Sequence, residues 1–182
     1  MICMQEQVRS AGEDAFIGVI MQLVGLLLGG LLTPVGYIVE LIAIKSLSKA
    51  FNNPAIWRNA LYAVITAVVG TVVLVASIFA LLFGIPLMPI PMKDDLYPLL
   101  VIGAIFVVDY VFLILSGRYY RNLYNELANS SGISEFKDTA RLTWLGALLS
   151  IIIVGAFLML VGRIFALLGY NRLKEWKPPQ QT

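Results

Sequence analysis

The pattern of apolar and polar positions divides the chain into four long apolar blocks separated by short polar segments. A bilayer crossing requires about 17–25 mostly apolar residues, and three of the blocks are longer than that range. The blocks cover residues 16–44, 60–91, 96–117 and 142–169. This pattern predicts a multi-pass integral membrane protein in which the interruptions within the blocks determine the number of crossings.

Two capping signals divide the first half of the chain into three helices. Thr33-Pro34 and Asn53-Pro54 each place a capping side chain before a proline suited to the first position of a helix. The predicted helices cover residues 13–32, 34–51 and 54–83. Together they form a first half of the fold, residues 13–83.

The second half, residues 97–171, follows a proline-rich segment at 84–96 that is predicted to form a loop on the outer side. One helix begins near Tyr97 and is too long to lie wholly within the membrane, so its last turns form an amphipathic extension. The last apolar block crosses the membrane once, or it breaks near Val154-Gly155 into two short helices.

An internal repeat favours the break. Residues 24–29 resemble residues 145–150, and residues 53–59 resemble residues 132–138. We therefore expect two related halves and six short transmembrane helices, with five as the alternative.

The distribution of basic residues also favours six helices. Of the 13 Lys and Arg residues, six helices place all but Lys93 and Arg163 on one side, as the positive-inside rule expects. Five helices would move the bases near the C terminus to the other side. The prediction is a single transmembrane domain over residues 1–182, with residues 1–12 and 172–182 in the cytoplasm.

The composition limits the kinds of chemistry that the chain can perform. Hydrophobic residues make up 59% of the chain and charged residues 13%, with a mean hydropathy of +0.86, whereas soluble domains have about 25% charged residues. The absence of histidine excludes histidine catalysis and ligation, and the single Cys3 excludes an internal disulfide. The net charge of +2 is too small to indicate nucleic-acid binding. We expect no catalytic residues, no cofactor and no metal site.

Three charged residues lie within the bilayer-spanning parts of the predicted helices, namely Glu40, Asp109 and Arg163. Each costs at least about 2.5–3.5 kcal/mol at mid-depth unless it is paired. Glu40 and Arg163 occupy equivalent hairpins of the repeat, which predicts an ion pair that holds the helices in register. One alternative makes Asp109 a proton or cation site, with the other two as gating or balancing charges. In another, Glu40 and Arg163 extend to the interfaces.

Small residues at helical spacing predict close helix packing. The pattern Gly25-x-x-x-Gly29 has a counterpart in Gly146-x-x-x-Ser150, and such motifs let helix backbones approach in lipid. Packing within one chain is the expected use, and an interface between two copies is the alternative.

The chain resembles a family of small archaeal membrane proteins known only as a domain of unknown function. The resemblance extends over residues 15–174 and rests on residues 33–36, 42–48, 53–60, 124–128, 136–137 and 145–149. It implies an archaeal cell membrane and a multi-pass helical fold. It implies no activity.

These observations favour a non-catalytic structural, assembly or accessory component of the cell membrane rather than an enzyme. The alternative is a small carrier or channel that uses Asp109 together with Glu40 and Arg163. The expected partners are membrane lipids, other membrane proteins or a second copy of the chain.

Overall fold

The computed structural model describes residues 2–29, 31–84 and 96–177. All regular structure in these residues is helical, which confirms the all-α fold class with six helices. The helices are α1 (Ile2–Leu27), α2 (Thr33–Ala50), α3 (Pro54–Phe79), α4 (Leu96–Ser131), α5 (Glu135–Leu148) and α6 (Ile153–Leu173). A π-helical segment, Ala80–Gly84, continues α3. Nearly all of the predicted loop at 84–96 and the last five residues of the tail lie outside the described residues.

Within the described residues, four helices are long and apolar enough to cross a membrane. They are found at Met4–Leu27, Pro54–Phe83, Leu99–Ser131 and Ile153–Leu173. The other two helices, α2 and α5, have 18 and 14 residues. Each of these two forms a hairpin with one of the apolar helices, α1 or α6.

The six helices form a closed ring in which each helix packs against the next and α6 packs against α1. The most extensive contacts lie within the hairpins α1–α2, α3–α4 and α5–α6. Side chains that point into the ring therefore meet partners from several helices.

The helix boundaries differ from the prediction most at α1, which also ends at Leu27 rather than residue 32, and in the last apolar block. The structure begins α1 at Ile2 rather than residue 13, because Val8, Ala11 and Ala15 are buried at the spacing of one helix face. The last apolar block does break, but α5 ends at Leu148 and α6 begins at Ile153, so the turn precedes the predicted Val154-Gly155.

The two capping signals have different outcomes. Asn53 caps α3 as predicted, because its Oδ1 accepts a hydrogen bond from the Ala55 backbone N–H at 3.1 Å. Thr33 does not cap α2. It is the first residue of the helix, no side-chain cap is present, and the Thr33 Oγ1 is buried without a hydrogen-bond partner in the described structure.

One end of the molecule, the polar end, comprises residues 2–14, 45–58, 118–141 and 170–177. Contacts between these segments join them. Trp176 Nε1 donates to the Ser131 carbonyl at 2.9 Å, and its ring lies edge-on to Phe51 at 5.4 Å. The Asn53 amide donates to Glu126 at 3.0 Å. The polar end is therefore a packed cap on the helix ring.

Most of the buried core lies towards the polar end. Its larger members include Val8, Leu47, Ile56, Leu123, Leu127, Phe136 and Leu173. At the opposite end, around the turns at 28–32 and 149–152, the apolar side chains are exposed, including Leu31 at 83% and Ile153 at 89%. Such a surface is compatible with lipid and unfavourable in water.

Candidate functional site

The charged cluster inside the ring is built around the carboxylate of Glu40 on α2. It consists of Glu40, Arg163, Gln22, Tyr37, Tyr120, Tyr124 and Tyr170. The backbones of α1 and α2 lie very close together at Glu40, because a Cβ on Gly18 would be 2.7 Å from the Glu40 nitrogen. Only a glycine at this position allows the two helices to come so close.

Four side chains from three other helices donate hydrogen bonds to Glu40. Its Oε2 accepts from Gln22 Nε2 at 2.8 Å and from Arg163 Nη1 at 3.0 Å. Its Oε1 accepts from the hydroxyls of Tyr124 and Tyr170, each at 3.1 Å. The Glu40 side chain is 3% exposed, so the chain itself supplies the donors that a buried carboxylate requires.

Arg163 is held by charge, hydrogen bonds and aromatic rings together. Its Nη2 donates to the Tyr37 hydroxyl at 3.2 Å. Its guanidinium lies over the rings of Tyr37 and Tyr120, at 5.1 and 5.2 Å from their centres, which adds cation–π attraction. The side chain is 19% exposed. The cluster is therefore one compensated ion pair enclosed by tyrosines.

The cavity beside this pair is very small. It has a volume of about 10 Å³ and is lined by residues that include Tyr37, Glu40, Ala60 and Tyr120. A single water needs at least about 10–15 Å³. This cavity therefore holds at most about one water molecule.

The cluster lies towards the polar end of the ring. Tyr120 and Tyr124 belong to the same stretch of α4 as Arg118 and Arg121, whose side chains are exposed. The sequence prediction placed Glu40 and Arg163 within membrane-spanning helices. The structure brings Arg163 against Tyr120 and Tyr124, in the same stretch of α4 as these exposed bases.

Asp109 lies elsewhere. Along α4 it is about 16 Å from Tyr120, at 1.5 Å per residue. Its half-buried side chain lines a groove of about 650 Å³ between α3 and α4, which also includes Ser150 and Ile151. The structure thus brings Glu40 and Arg163 together but does not bring Asp109 to them.

The groove presents oxygen atoms that accept hydrogen bonds. The hydroxyls of Thr66, Ser116 and Tyr110 already donate to backbone carbonyls, at 2.7, 3.1 and 2.8 Å. No Lys or Arg side chain of the described residues lines the groove. Most of the other lining residues are apolar, including Phe106 and Phe112, so Asp109 and these hydroxyls are the main polar groups of the groove.

Two of the four predicted packing residues lie at close helix contacts. A Cβ on Gly25 would lie 2.5 Å from the Thr33 nitrogen, and one on Gly146 would lie 2.8 Å from the Gly155 carbonyl oxygen. Gly29 instead lies in the turn after α1, with φ +74° and nothing within 4 Å of an added Cβ. Ser150 also lies in a turn, where its hydroxyl donates to the Ala147 carbonyl at 2.8 Å.

The sequence prediction missed the residues that surround the ion pair. Gln22 is polar within a strongly apolar helix, which is a usable signal for a buried partner. Tyr120 and Tyr124 share one face of the predicted amphipathic extension of α4, but the sequence analysis did not connect them with the ion pair. Tyr37 and Tyr170 resemble ordinary interface tyrosines in the sequence.

Comparison with known proteins adds a family but no activity. Residues 32–164 match a family described as "Protein of unknown function (DUF996)". An uncharacterised protein of Methanocaldococcus jannaschii, MJ1644, is 24% identical over 159 residues, which cover 87% of this chain and 89% of that protein. No solved structure matches.

Proposed function

The chain belongs to the DUF996 family of proteins of unknown function, and on that premise we propose that it is a non-catalytic structural, assembly or accessory component of the cell membrane. In this proposal both chain ends face the cytoplasm, as the distribution of basic residues favours. The partners are lipids and other membrane proteins. The chain does not act as an enzyme.

The observation that carries this proposal is the closure of the charged cluster. A carboxylate that performs catalysis or transport has to be reached by its substrate or ion. The Glu40 carboxylate is instead enclosed by donors of its own chain, from α1, α4 and α6, beside a cavity of about 10 Å³. Its role is to fasten four helices of the ring together.

Native mass spectrometry of the protein, extracted gently from its own membrane, tests this function. We expect a second polypeptide in fixed stoichiometry with the chain. The same chain produced in the membrane of an unrelated host serves as control and should lack that polypeptide. A chain that is recovered alone from its own membrane, and that moves ions when reconstituted, would contradict the proposal.

A second candidate function, a small carrier or channel, is favoured by Asp109 in its groove. A half-buried carboxylate near the middle of an apolar helix is costly unless a proton or a cation compensates it. Because Glu40 and Arg163 do not reach the groove, this candidate now depends on Asp109 and the surrounding hydroxyls.

Flux measurements on vesicles containing the purified protein test this second candidate. If Asp109 is the site, Asp109→Asn should abolish flux of protons, followed with an entrapped pH-sensitive dye, or of sodium or potassium ions. Asp14→Asn is the matched control, because Asp14 is exposed on α1 outside the groove. Absence of flux of all three cations through the unmodified protein would rule out cation transport by Asp109.

A further inference from the structure

The turn between α5 and α6 lies beside a point about halfway along α4. The Tyr110 hydroxyl donates to the Leu148 carbonyl at 2.8 Å, and Ser150 and Ile151 line the same groove as Asp109. From Tyr110 back to its first residue, Leu96, the α4 helix extends for about another 21 Å. The α5–α6 hairpin is therefore much shorter than the helix against which it packs.

The α1–α2 hairpin is short in the same way. The Lys45 ammonium group lies 5.3 Å from the centre of the Trp57 ring, so these residues mark one level on α2 and α3. From that level α2 rises about 18 Å to its first residue, Thr33, whereas α3 and its π-helical continuation rise about 40 Å to Gly84. About 20 Å of the α3 helix extends beyond the turn at 28–32.

The tips of both hairpins are apolar and point outwards. Residues 23–36 and 145–158 contain no charged residue, no Trp and no Tyr. Leu27 is 85% exposed and Ile151 is 77% exposed. A tip at the opposite membrane surface would present these side chains to water, without the aromatic and basic anchors that are usual there.

Several backbone groups of the second turn are hydrogen-bonded within the turn. The N–H groups of Leu149, Ile152 and Gly155 donate to the carbonyls of residues 145, 149 and 152 at 2.8–2.9 Å. The Ser150 hydroxyl occupies the Ala147 carbonyl. An unpaired backbone group costs several kcal/mol in hydrocarbon, so each of these bonds lowers the cost of placing the turn among acyl chains.

The charged residues on either side of the α5–α6 turn indicate how deeply this hairpin enters the bilayer. Arg141 on α5 and Arg163 on α6 lie about 10–15 Å from the ends of those helices at the turn. The hydrocarbon core is about 30 Å thick. With the turn added, the hairpin reaches roughly the middle of the bilayer.

We propose that α1–α2 and α5–α6 are re-entrant hairpins. Each enters the bilayer from the side of the polar end, turns near the middle and returns to the same side, while α3 and α4 cross completely. The tips contact the acyl chains of one leaflet. This topology keeps both chain ends on one side, as six crossings would, and it does not rest on the proposed function.

Cysteine labelling separates re-entrant hairpins from complete crossings. In a Cys3→Ser background, Leu31→Cys and Ile152→Cys should fail to react with a membrane-impermeant maleimide from either face of the membrane. Both should react once the membrane is dissolved in detergent, which shows that the thiols are chemically free. Labelling of either tip from the face opposite the polar end would overturn the proposal.

Two further cysteine variants serve as references for labelling from each face of the membrane. Ser10→Cys, at the exposed N-terminal part of α1, should react from the polar-end side. Lys93→Cys, in the segment that joins α3 to α4, should react from the opposite side only. If Ile152→Cys reacts from the same side as Lys93→Cys, then α5 and α6 cross the bilayer.

A cysteine could also fail to react because neighbouring side chains block the reagent. A measurement of depth in the bilayer distinguishes this case from burial among acyl chains. A nitroxide label attached to Ile152→Cys should be accessible to dissolved oxygen and inaccessible to a polar nickel complex, as expected near the bilayer centre. The same label on Lys45→Cys should show the reverse preference, close to the headgroups. Equal nickel accessibility at both positions would overturn the proposal.

Discussion

At the scale of single residues, the Glu40 carboxylate shows how a charge is accommodated in an apolar molecule. Burial removes water from both Glu40 and Arg163, and their attraction offsets this only when the remaining donors and acceptors are also satisfied. The tyrosines and Gln22 meet that requirement. A single substitution within this cluster therefore affects several helices.

A double-mutant cycle measures this dependence. Glu40→Gln or Arg163→Gln alone should lower the free energy of unfolding by about 3–5 kcal/mol, because each leaves an uncompensated buried charge. The double variant should lose less than the sum of the two single variants. Thermal denaturation in detergent provides the measurement.

The matched control breaks a more exposed pair. Arg172 Nε lies 2.8 Å from Glu135 Oε1, and the Arg172 side chain is 65% exposed, so Arg172→Gln should cost no more than about 1 kcal/mol. Strict additivity of the Glu40 and Arg163 substitutions would refute the energetic coupling inferred from their contact.

The ion pair could be predicted from the sequence, whereas the residues around it could not. Two opposite charges within apolar helices have a strong physical reason to meet, so Glu40 and Arg163 could be paired before their geometry was known. A tyrosine is stable either inside or at an interface, because its ring is apolar and its hydroxyl is polar. Whether Tyr170 points inwards depends on how α6 is rotated, which apolar periodicity does not determine in a helix that is apolar all round.

At the scale of elements, the hairpins depend on glycine at the closest helix approach. A Cβ on Gly36 would lie 2.6 Å from the Gly18 carbonyl oxygen and 2.8 Å from the Gln22 nitrogen. The predicted Gly25 and Gly146 do lie at close contacts, but the Gly18–Gly36 approach was missed. These two glycines lie on different helices and form no short-range motif.

A pair of alanine substitutions tests this packing. Gly36→Ala should separate α1 from α2 and lower the thermal stability, because backbone atoms cannot yield to the added methyl group. Gly103→Ala is the matched control within another helix, since nothing lies within 4 Å of its added Cβ. We expect it to be neutral or stabilising by up to about 1 kcal/mol. Equal effects of both substitutions would show that the close approach does not limit stability.

Element boundaries were predictable where a local signal determines them. Asn53 caps α3 because its side chain lies beside the first turn of that helix. Thr33 carries a similar local signal, but its hydroxyl is buried against α1, where a Cβ on Gly25 would lie 2.7 Å from the Thr33 Oγ1. Tertiary packing thus prevails over capping preference at Thr33.

At the scale of the whole molecule, the helical class and the number of helices followed from apolar block lengths and breakers. The distribution of packing along the helices did not. The ring is closed and buried towards the polar end, and its apolar end is open. The length of an apolar block shows that its helix is compatible with lipid. It does not show along how much of that helix the neighbouring helices pack.

The unequal lengths of the hairpins give the molecule a tapered outline. Six helices occupy the half at the polar end, whereas only the α3 and α4 helices, among the described residues, continue far beyond the two short turns. Embedded as proposed, this body displaces more area in one leaflet than in the other. Such a wedge is accommodated with least strain in a membrane that is convex on the polar-end side, so the protein would favour curved regions of its membrane and help to maintain their curvature.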